Sequence, residues 1–269
     1  MDLEAVATII ADVARQEIVP RFRRLDSGDI RAKKPGDLVT VADEAAERAL
    51  DARLRTLHPG STVVGEEAVA ADPGVLDRVA GDAPVWIVDP VDGTANFAAG
   101  LPLFAVMVSL ASRGRTVAAW IHDPLTGATA MAEQGGGAWS GGERLRAAPP
   151  DDLAAMSGAV SFRYGRRPLV RKIAGRTNRV GPVFQLRCAG QEYLALVRGQ
   201  SHFSLYHRLL PWDHAAGQLI HGEAGGYSAR LDGSDYRPTV VEGGLLLAPD
   251  RASWEALHEA LVGRPEERV

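Results

Sequence analysis

The chain has a single cysteine, Cys188, among its 269 residues. An intramolecular disulfide is therefore excluded, and stability must come from a buried core, which a chain of this length can build. No apolar run approaches the roughly 18 residues of a membrane-spanning helix. Basic charge is not in excess: the net charge is −4 and the pI about 6.0, so there is no electrostatic footprint for nucleic acid or an anionic membrane. The phosphate-binding pattern G-x-x-x-x-G-K-[ST] is missing. So is a zinc-type Cys/His cluster. His207, His214 and His221 recur every seven residues, but the first belongs to an expected strand. The other two would lie two helical turns apart, roughly 10 Å along the axis, too far for one metal; all three read as surface or supporting residues. The opening segment "MDLEAVATIIADVARQEIVPRFRR" has acids where a secretory leader would be basic, and a cytoplasmic location is expected. Neither an internal repeat nor a low-complexity linker divides the chain.

What is present is an alternation of helical and strand patterns. Leu3, Val6, Ile9, Ile10 and Val13 share one face of a helix over 2–18 that ends near Pro20. A charged, glycine-containing loop, "DSGDIRAKKPGD", follows, and its Lys33-Lys34 pair reads as part of a mobile segment near a site or as a solvated charge pair. A helix starts at Thr40 and stops at His58, before Pro59-Gly60. "STVVGEEA" reads as a short strand running into a turn. Three segments between Phe104 and Leu145 read as an antiparallel meander with a glycine-rich tip at 135–137. The second half predicts strands in "LAAMSGAVSF", "SHFSLYH" and "VVEGGLLLAPD", and helices in "RPLVRKIAGR", "QEYLALVRG", "PWDHAAGQLIHGEAGG" and "RASWEALHEALVG". This mixture predicts an α+β or α/β fold with layers of sheet and helix in one unit.

The chemistry concentrates in "VWIVDPVDGTANF", residues 85–97. A β-branched run with a Trp reads as a central strand, yet it ends in Asp89 and Asp92. Burying two unpaired carboxylates costs several kcal/mol each, so a positive partner is required. Glu66 and Glu67 after one strand, and Asp213 at the head of a helix, are further acids at element ends. An all-oxygen ligand set suits a hard cation such as Mg²⁺. Gly93 permits a tight turn, and the residues after it can open a short helix whose N–H groups would face an anion. Divalent cations beside an anion site suit a phosphate ester.

Four segments together, "DLVTVADEAAE" (37–47), "GEE" (65–67), "WIVDPVDGTANF" (86–97) and "PWDHAAGQLIHGEAGG" (211–226), resemble the inositol monophosphatase-like phosphatases, relatives of fructose-1,6-bisphosphatases, in the family's order and across essentially the whole chain. The resemblance implies a layered α/β/α/β/α sandwich forming one phosphatase domain over 1–269. Its N-terminal lobe, about 1–145, would carry most metal ligands, and its C-terminal lobe, about 146–269, would carry Asp213 and the substrate wall. It implies two to three Mg²⁺ ions: one on Glu66, Asp89 and the Val91 carbonyl, a second on Asp89, Asp92 and Asp213, and a weaker third near Glu66. It implies a water nucleophile activated by the ions and oriented by Thr94 and Asp43, with phosphate against the N–H groups of Gly93 and Thr94. The expected activity is Mg²⁺-dependent hydrolysis of a small phosphorylated alcohol, with lithium sensitivity and a homodimer as family expectations, and no nucleic-acid or membrane partner.

The substrate wall departs from the family pattern. In the segment "RCAG", Arg187 stands where a glycine is usual and Ala189 continues the motif; Tyr206 stands where a substrate-binding glutamate is usual, seven residues before Asp213. Inositol recognition is thereby put in question, and Arg187, with Arg208, becomes a candidate for a second phosphate or a carboxylate, or else for a salt bridge or solvent. Plain readings exist for the acids too: Asp43 and Asp213 as first-turn helix acids, Glu66-Glu67 as a solvated turn, D-x-x-D-G as a turn. Cys188 reads as a small packed hydrophobe. Two other classes stay open: a phosphometabolite-binding regulatory protein without turnover, and a metal-free glycosidase with paired carboxylates.

Overall fold

The computed structural model describes residues 1–34 and 36–263. In chain order its helices are α1 (Leu3–Val13), α2 (Val41–Leu57), α3 (Glu66–Ala71), α4 (Thr94–Ala98), α5 (Arg167–Ala174), α6 (Ala189–Val197), α7 (Pro211–Glu223) and α8 (Arg251–Leu261). Its strands are β1 (Ile30–Lys34), β2 (Asp37–Thr40), β3 (Thr62–Gly65), β4 (Val85–Asp92), β5 (Ala105–Ser112), β6 (Arg115–His122), β7 (Thr129–Glu133), β8 (Gly137–Ser140), β9 (Glu143–Arg144), β10 (Gly158–Val160), β11 (Val183–Phe184), β12 (Phe203–Tyr206), β13 (Tyr227–Arg230) and β14 (Leu245–Ala248). No helix among the described residues is long and apolar enough to cross a membrane.

Strands β3 to β9 form one seven-stranded sheet in sequence order, parallel between β3 and β4 and antiparallel thereafter, as the meander pattern predicts. A second, five-stranded sheet has the order β11-β10-β12-β14-β13. Strand alternation assigns the faces. Val106, Val108 and Leu110 of β5 point into the core made with α1 and α2, while Ala105 and Met107 point into a second core with α6 and α7. Leu245 and Leu247 of β14 close that second core from the other side, and Leu246 and Ala248 face a third core with α8. The layers are therefore helix, sheet, helix, sheet, helix, and the predicted sandwich is present.

Some local expectations need correcting. The segment read as a loop at 26–37 is largely the hairpin β1-β2, antiparallel with Ile30 opposite Thr40. Glu66 and Glu67 open α3 rather than lie in a turn. The three histidines are not at the surface: His207, His214 and His221 are all buried. In "LAAMSGAVSF" only Gly158–Val160 is strand.

Helices α6 and α7 pack face to face between the sheets, at a distance that Gly217 sets: a Cβ there would fall 2.1–2.4 Å from the ring of Tyr193, which is fully buried. We expect Gly217→Ala to lower the unfolding free energy by about 1–3 kcal/mol through overpacking. Urea unfolding identical to that of the native chain would show that the contact is loose.

Candidate active site

A register slip brings the central acids together. Asp89 and Asp92 are three residues apart, which in a regular strand would place them on opposite faces. Asp89 pairs with Met107 and Asp92 with Ala105, three residues against two, so the ladder carries a bulge and both side chains reach one side. The α7 N-terminus, begun by Pro211, supplies Asp213. One carboxylate oxygen from each of Asp89, Asp92 and Asp213 lies within 4.8 Å of the others. These residues line a cleft with Glu66, Gly93, Thr94, Arg187, Ala189, Tyr206 and Arg208.

Electrostatically the cluster is under pressure. Burial first, then the charge of Glu66, pushes Asp213 up to about 8 even though Arg208 opposes it. Burial pushes Asp92 up to about 6 against hydrogen bonds from Cys188 and Gly190, and raises Asp89 well above the carboxylate range, with Glu66 and Asp92 adding to it. Crowded, buried, oxygen-only donors of this kind fit a divalent hard cation, whose charge would remove the mutual repulsion.

Each remaining acid has its own anchor. Asp43 is in the first turn of α2, where its Oδ2 accepts from the Thr40 N–H at 2.9 Å and the Thr40 hydroxyl at 2.5 Å in a capping box. Its Oδ1 accepts from the Thr94 hydroxyl at 3.0 Å. Burial above all raises Asp43 to about 6. Glu66 faces Lys33, whose Nζ lies 2.7 Å from Glu66 and 2.9 Å from Glu67. Burial works against the charge on Lys33, yet the two glutamates hold its pKa above the ordinary value. The Val91 carbonyl lies 3.0 Å from the same Thr94 hydroxyl, a competing acceptor for its one proton. Gly93 has φ +86°, and a Cβ on it would meet the Leu103 carbonyl at 2.8 Å, so only glycine fits the turn between β4 and α4.

Several supporting residues escape the sequence reading. Cys188 is buried as expected, but it is more than a packed hydrophobe: its Sγ lies 3.0 Å from Asp92 Oδ2, which also accepts from the Gly190 N–H at 2.5 Å. Glu47 caps the start of α3, accepting from the N–H groups of Glu67 and Ala68 at 2.8 Å each. A Cβ on Gly65 would lie 2.2 Å from that carboxyl. Its signal was the i, i+4 spacing from Asp43 on the inner face of α2. Asn96 ties α4 to the Leu186 carbonyl at 2.8 Å. Tyr206 is buried against Tyr193 and His214, with ring centroids at 5.6 and 4.6 Å. Glu192 is buried in the same wall, accepts from the Leu186 N–H at 2.9 Å and is pushed up to about 7 by burial.

The raised acids carry a pH signature. Asp213 at about 8, and Glu47, Glu67 and Glu192 at about 7, keep protons that the unfolded chain loses near pH 4. Their stabilisation is complete below that pH and is lost as pH rises through the folded values. His214 and His221, depressed to about 4 by burial, act oppositely only below about pH 6.5. In chelator, the melting temperature should therefore fall by more than about 5 °C between pH 6.5 and 8. A flat or rising curve would refute the proposed crowding.

The solved structures with this architecture include a Thermotoga maritima IMPase (TM-score 0.81, 25% identity, 97% of each chain covered) and an extragenic suppressor protein suhB from Bartonella henselae (TM-score 0.80, 22% identity, 98% of this chain and 100% of that one). In sequence, the chain is 32% identical over 252 residues to the inositol-1-monophosphatase of Rhizobium meliloti, covering 92% of this chain and 91% of that one. It is 32% identical over 237 residues to the Nus factor SuhB of Escherichia coli K12, covering 85% of each. The model of the inositol monophosphatase family matches residues 2–267. With that match, and with the carboxylate cluster in the cleft, the chain belongs to the inositol monophosphatase family, whose chemistry is phosphate ester hydrolysis.

Proposed function

We propose that the protein is a Mg²⁺-dependent phosphate monoesterase acting on a small phosphorylated alcohol. The observation that carries this is the convergence of Asp89, Asp92 and Asp213 within 4.8 Å at the buried end of a cleft that Thr94 also lines. Asp89, Asp92 and Asp213, with Glu66 and the Val91 carbonyl, would hold two to three ions. Bound Mg²⁺ supplies Lewis acidity, lowering the pKa of water and stabilising charge on the phosphoryl oxygens.

The chain's own residues supply the rest. With its proton directed at Asp43, Thr94 keeps oxygen lone pairs free to take a proton from the attacking water. Asp43, held by Thr40 and raised to about 6, is the final acceptor through Thr94. The water oxygen bonds to phosphorus, the ester P–O bond breaks, and the departing alkoxide takes a proton from solvent. Gly93 and Thr94 offer backbone N–H groups to the phosphoryl oxygens. Lys33 balances the charge of Glu66 and Glu67, a role that a cation held at Glu66 would share. A homodimer is proposed on family grounds alone.

Phosphate release from inositol 1-phosphate, fructose 1,6-bisphosphate, histidinol phosphate and 3′-phosphoadenosine 5′-phosphate tests this, with Mg²⁺ and with chelator. We expect metal-dependent release that falls at least about 100-fold in Asp92→Asn, whose amide oxygen can still accept from Gly190. Release that persists in chelator would favour a metal-free hydrolase. No release from any ester, with Mg²⁺ still bound, would favour a regulatory binding protein, the reading to which relatives named Nus factor SuhB lend weight. Asp43→Asn should lower kcat by about 10²–10⁴ while leaving the Mg²⁺ concentration for half-activity unchanged. A shift in that concentration instead would make Asp43 a metal-site residue.

A further inference from the structure

We propose that the substrate carries a second anionic group, a phosphate or a carboxylate, bound by a wall of arginines beside the carboxylate cluster; this rests on the phosphatase reading. Three cationic side chains line the cleft, Arg163, Arg187 and Arg208, all contributed by the second half of the chain. Their charge is poorly answered inside the protein. Among the described residues neither Arg163 nor Arg187 forms an ion pair, and Arg208 reaches Asp213 only at 3.6 Å. Divalent cations held by the acids would weaken that last contact as well.

Geometry supports a built wall over a chance cluster. The Arg208 guanidinium lies 3.8 Å from the ring centroid of Tyr164, and that of Arg163 lies 5.0 Å from the same ring. Contact with one ring holds both guanidinium groups at this wall, with less rotamer freedom to lose on binding. Tyr164 itself is 55% exposed, held at the mouth of the cleft and not packed inside. Its backbone has φ +65° and that of Arg187 φ +58°. Only four non-glycine residues among those described have a left-handed backbone, and two of them stand on this wall. A bulky side chain in that region costs on the order of 1–3 kcal/mol and persists where the surroundings hold it for a purpose.

The polyol side of the cleft is correspondingly weak. Tyr206 is buried among aromatic rings, and the carboxyl of Glu192 is itself buried with Oε1 taken by the Leu186 N–H, so this wall presents no exposed carboxylate to vicinal hydroxyls. Recognition of the non-reacting end therefore falls to charge. A phosphate or a carboxylate matches a guanidinium fork in two parallel hydrogen bonds, which neutral hydroxyls do not.

Matched esters test this. Initial rates with Mg²⁺ are compared for inositol 1-phosphate and inositol 1,4-bisphosphate, and for glycerol 3-phosphate and 3-phosphoglycerate. We expect kcat/KM to favour the doubly anionic member of at least one pair by about tenfold or more. A preference confined to the bisphosphate identifies phosphate as the second anion; a preference in both pairs admits carboxylate. Arg187→Gly, which suits the backbone at φ +58°, and Arg163→Gln should each shrink the preference towards unity through KM. Equal kcat/KM within both pairs, or a preference untouched in both variants, overturns the proposal while the phosphatase reading stands. If no ester is hydrolysed, the phosphatase reading fails on its own. Calorimetric binding of inositol 1,4-bisphosphate, weakened about tenfold or not in Arg187→Gly, then decides the arginine wall.

Discussion

Everything in this molecule is arranged around carboxylates that repel one another. One carboxylate oxygen from each of Asp89, Asp92 and Asp213 lies within 4.8 Å of the others, with Asp89 and Asp92 buried and Asp213 half-buried. Asp89 and Asp92 come from the end of the strand at the centre of the first core, whereas Asp213 comes from the helix that separates the two sheets. Folding the chain brings the charges together whether or not anything neutralises them. The cores on either side must overcome that repulsion: Trp86 tilted against Trp120 with ring centroids 5.8 Å apart, and Tyr193 against Gly217. Stability is given up locally so that a strong field exists where a phosphate ester would react.

The fold was legible wherever an element is long and its two faces differ. Helix α1 and the meander from β4 to β8 follow their hydrophobic periods, and the capping box of α2 is written in Thr40 and Asp43. Short elements were not legible. Strands β11 and β13 have two and four residues, and they exist because β10 and β14 present open edges to them, a tertiary cause without a local signal. The hairpin β1-β2 is rich in lysine and arginine and reads as loop; it is ordered at Lys33 by Glu66 and Glu67, more than thirty residues away in sequence.

The site divides the same way. Motif residues carrying acids or glycine were identifiable because burying a charge or adopting a positive φ restricts the residue type. Their supports were not: the Cys188 thiol comes into use only because the start of α6 meets Asp92 at the end of β4, and the Glu192 carboxyl because the loop before α6 turns the Leu186 N–H back onto it. The histidines stayed between a surface and a supporting reading for a related reason, and only the surface one falls. His214 is buried as a neutral ring, bonded to the Tyr193 hydroxyl at 3.1 Å and the Arg208 carbonyl at 2.8 Å, and a sevenfold spacing cannot distinguish such a ring from an exposed one.

One device recurs in the buried acids and reconciles the structural and chemical readings that compete for each. Asp43 commits Oδ2 to the Thr40 cap and turns Oδ1 to Thr94. Asp92 commits Oδ2 to the Gly190 N–H and the Cys188 thiol. Asp89 commits Oδ1 to the Val91 N–H at 3.1 Å. In each case one oxygen is fixed by the backbone or a close neighbour, which holds the plane of the carboxylate. The first-turn helix acid and the proposed proton acceptor are thus the same residue, Asp43, seen from its two oxygens. Fixing one oxygen removes the rotamer freedom that would otherwise be lost when the second engages a cation or a proton, so the capping bonds are themselves part of the preorganisation on which the chemistry depends.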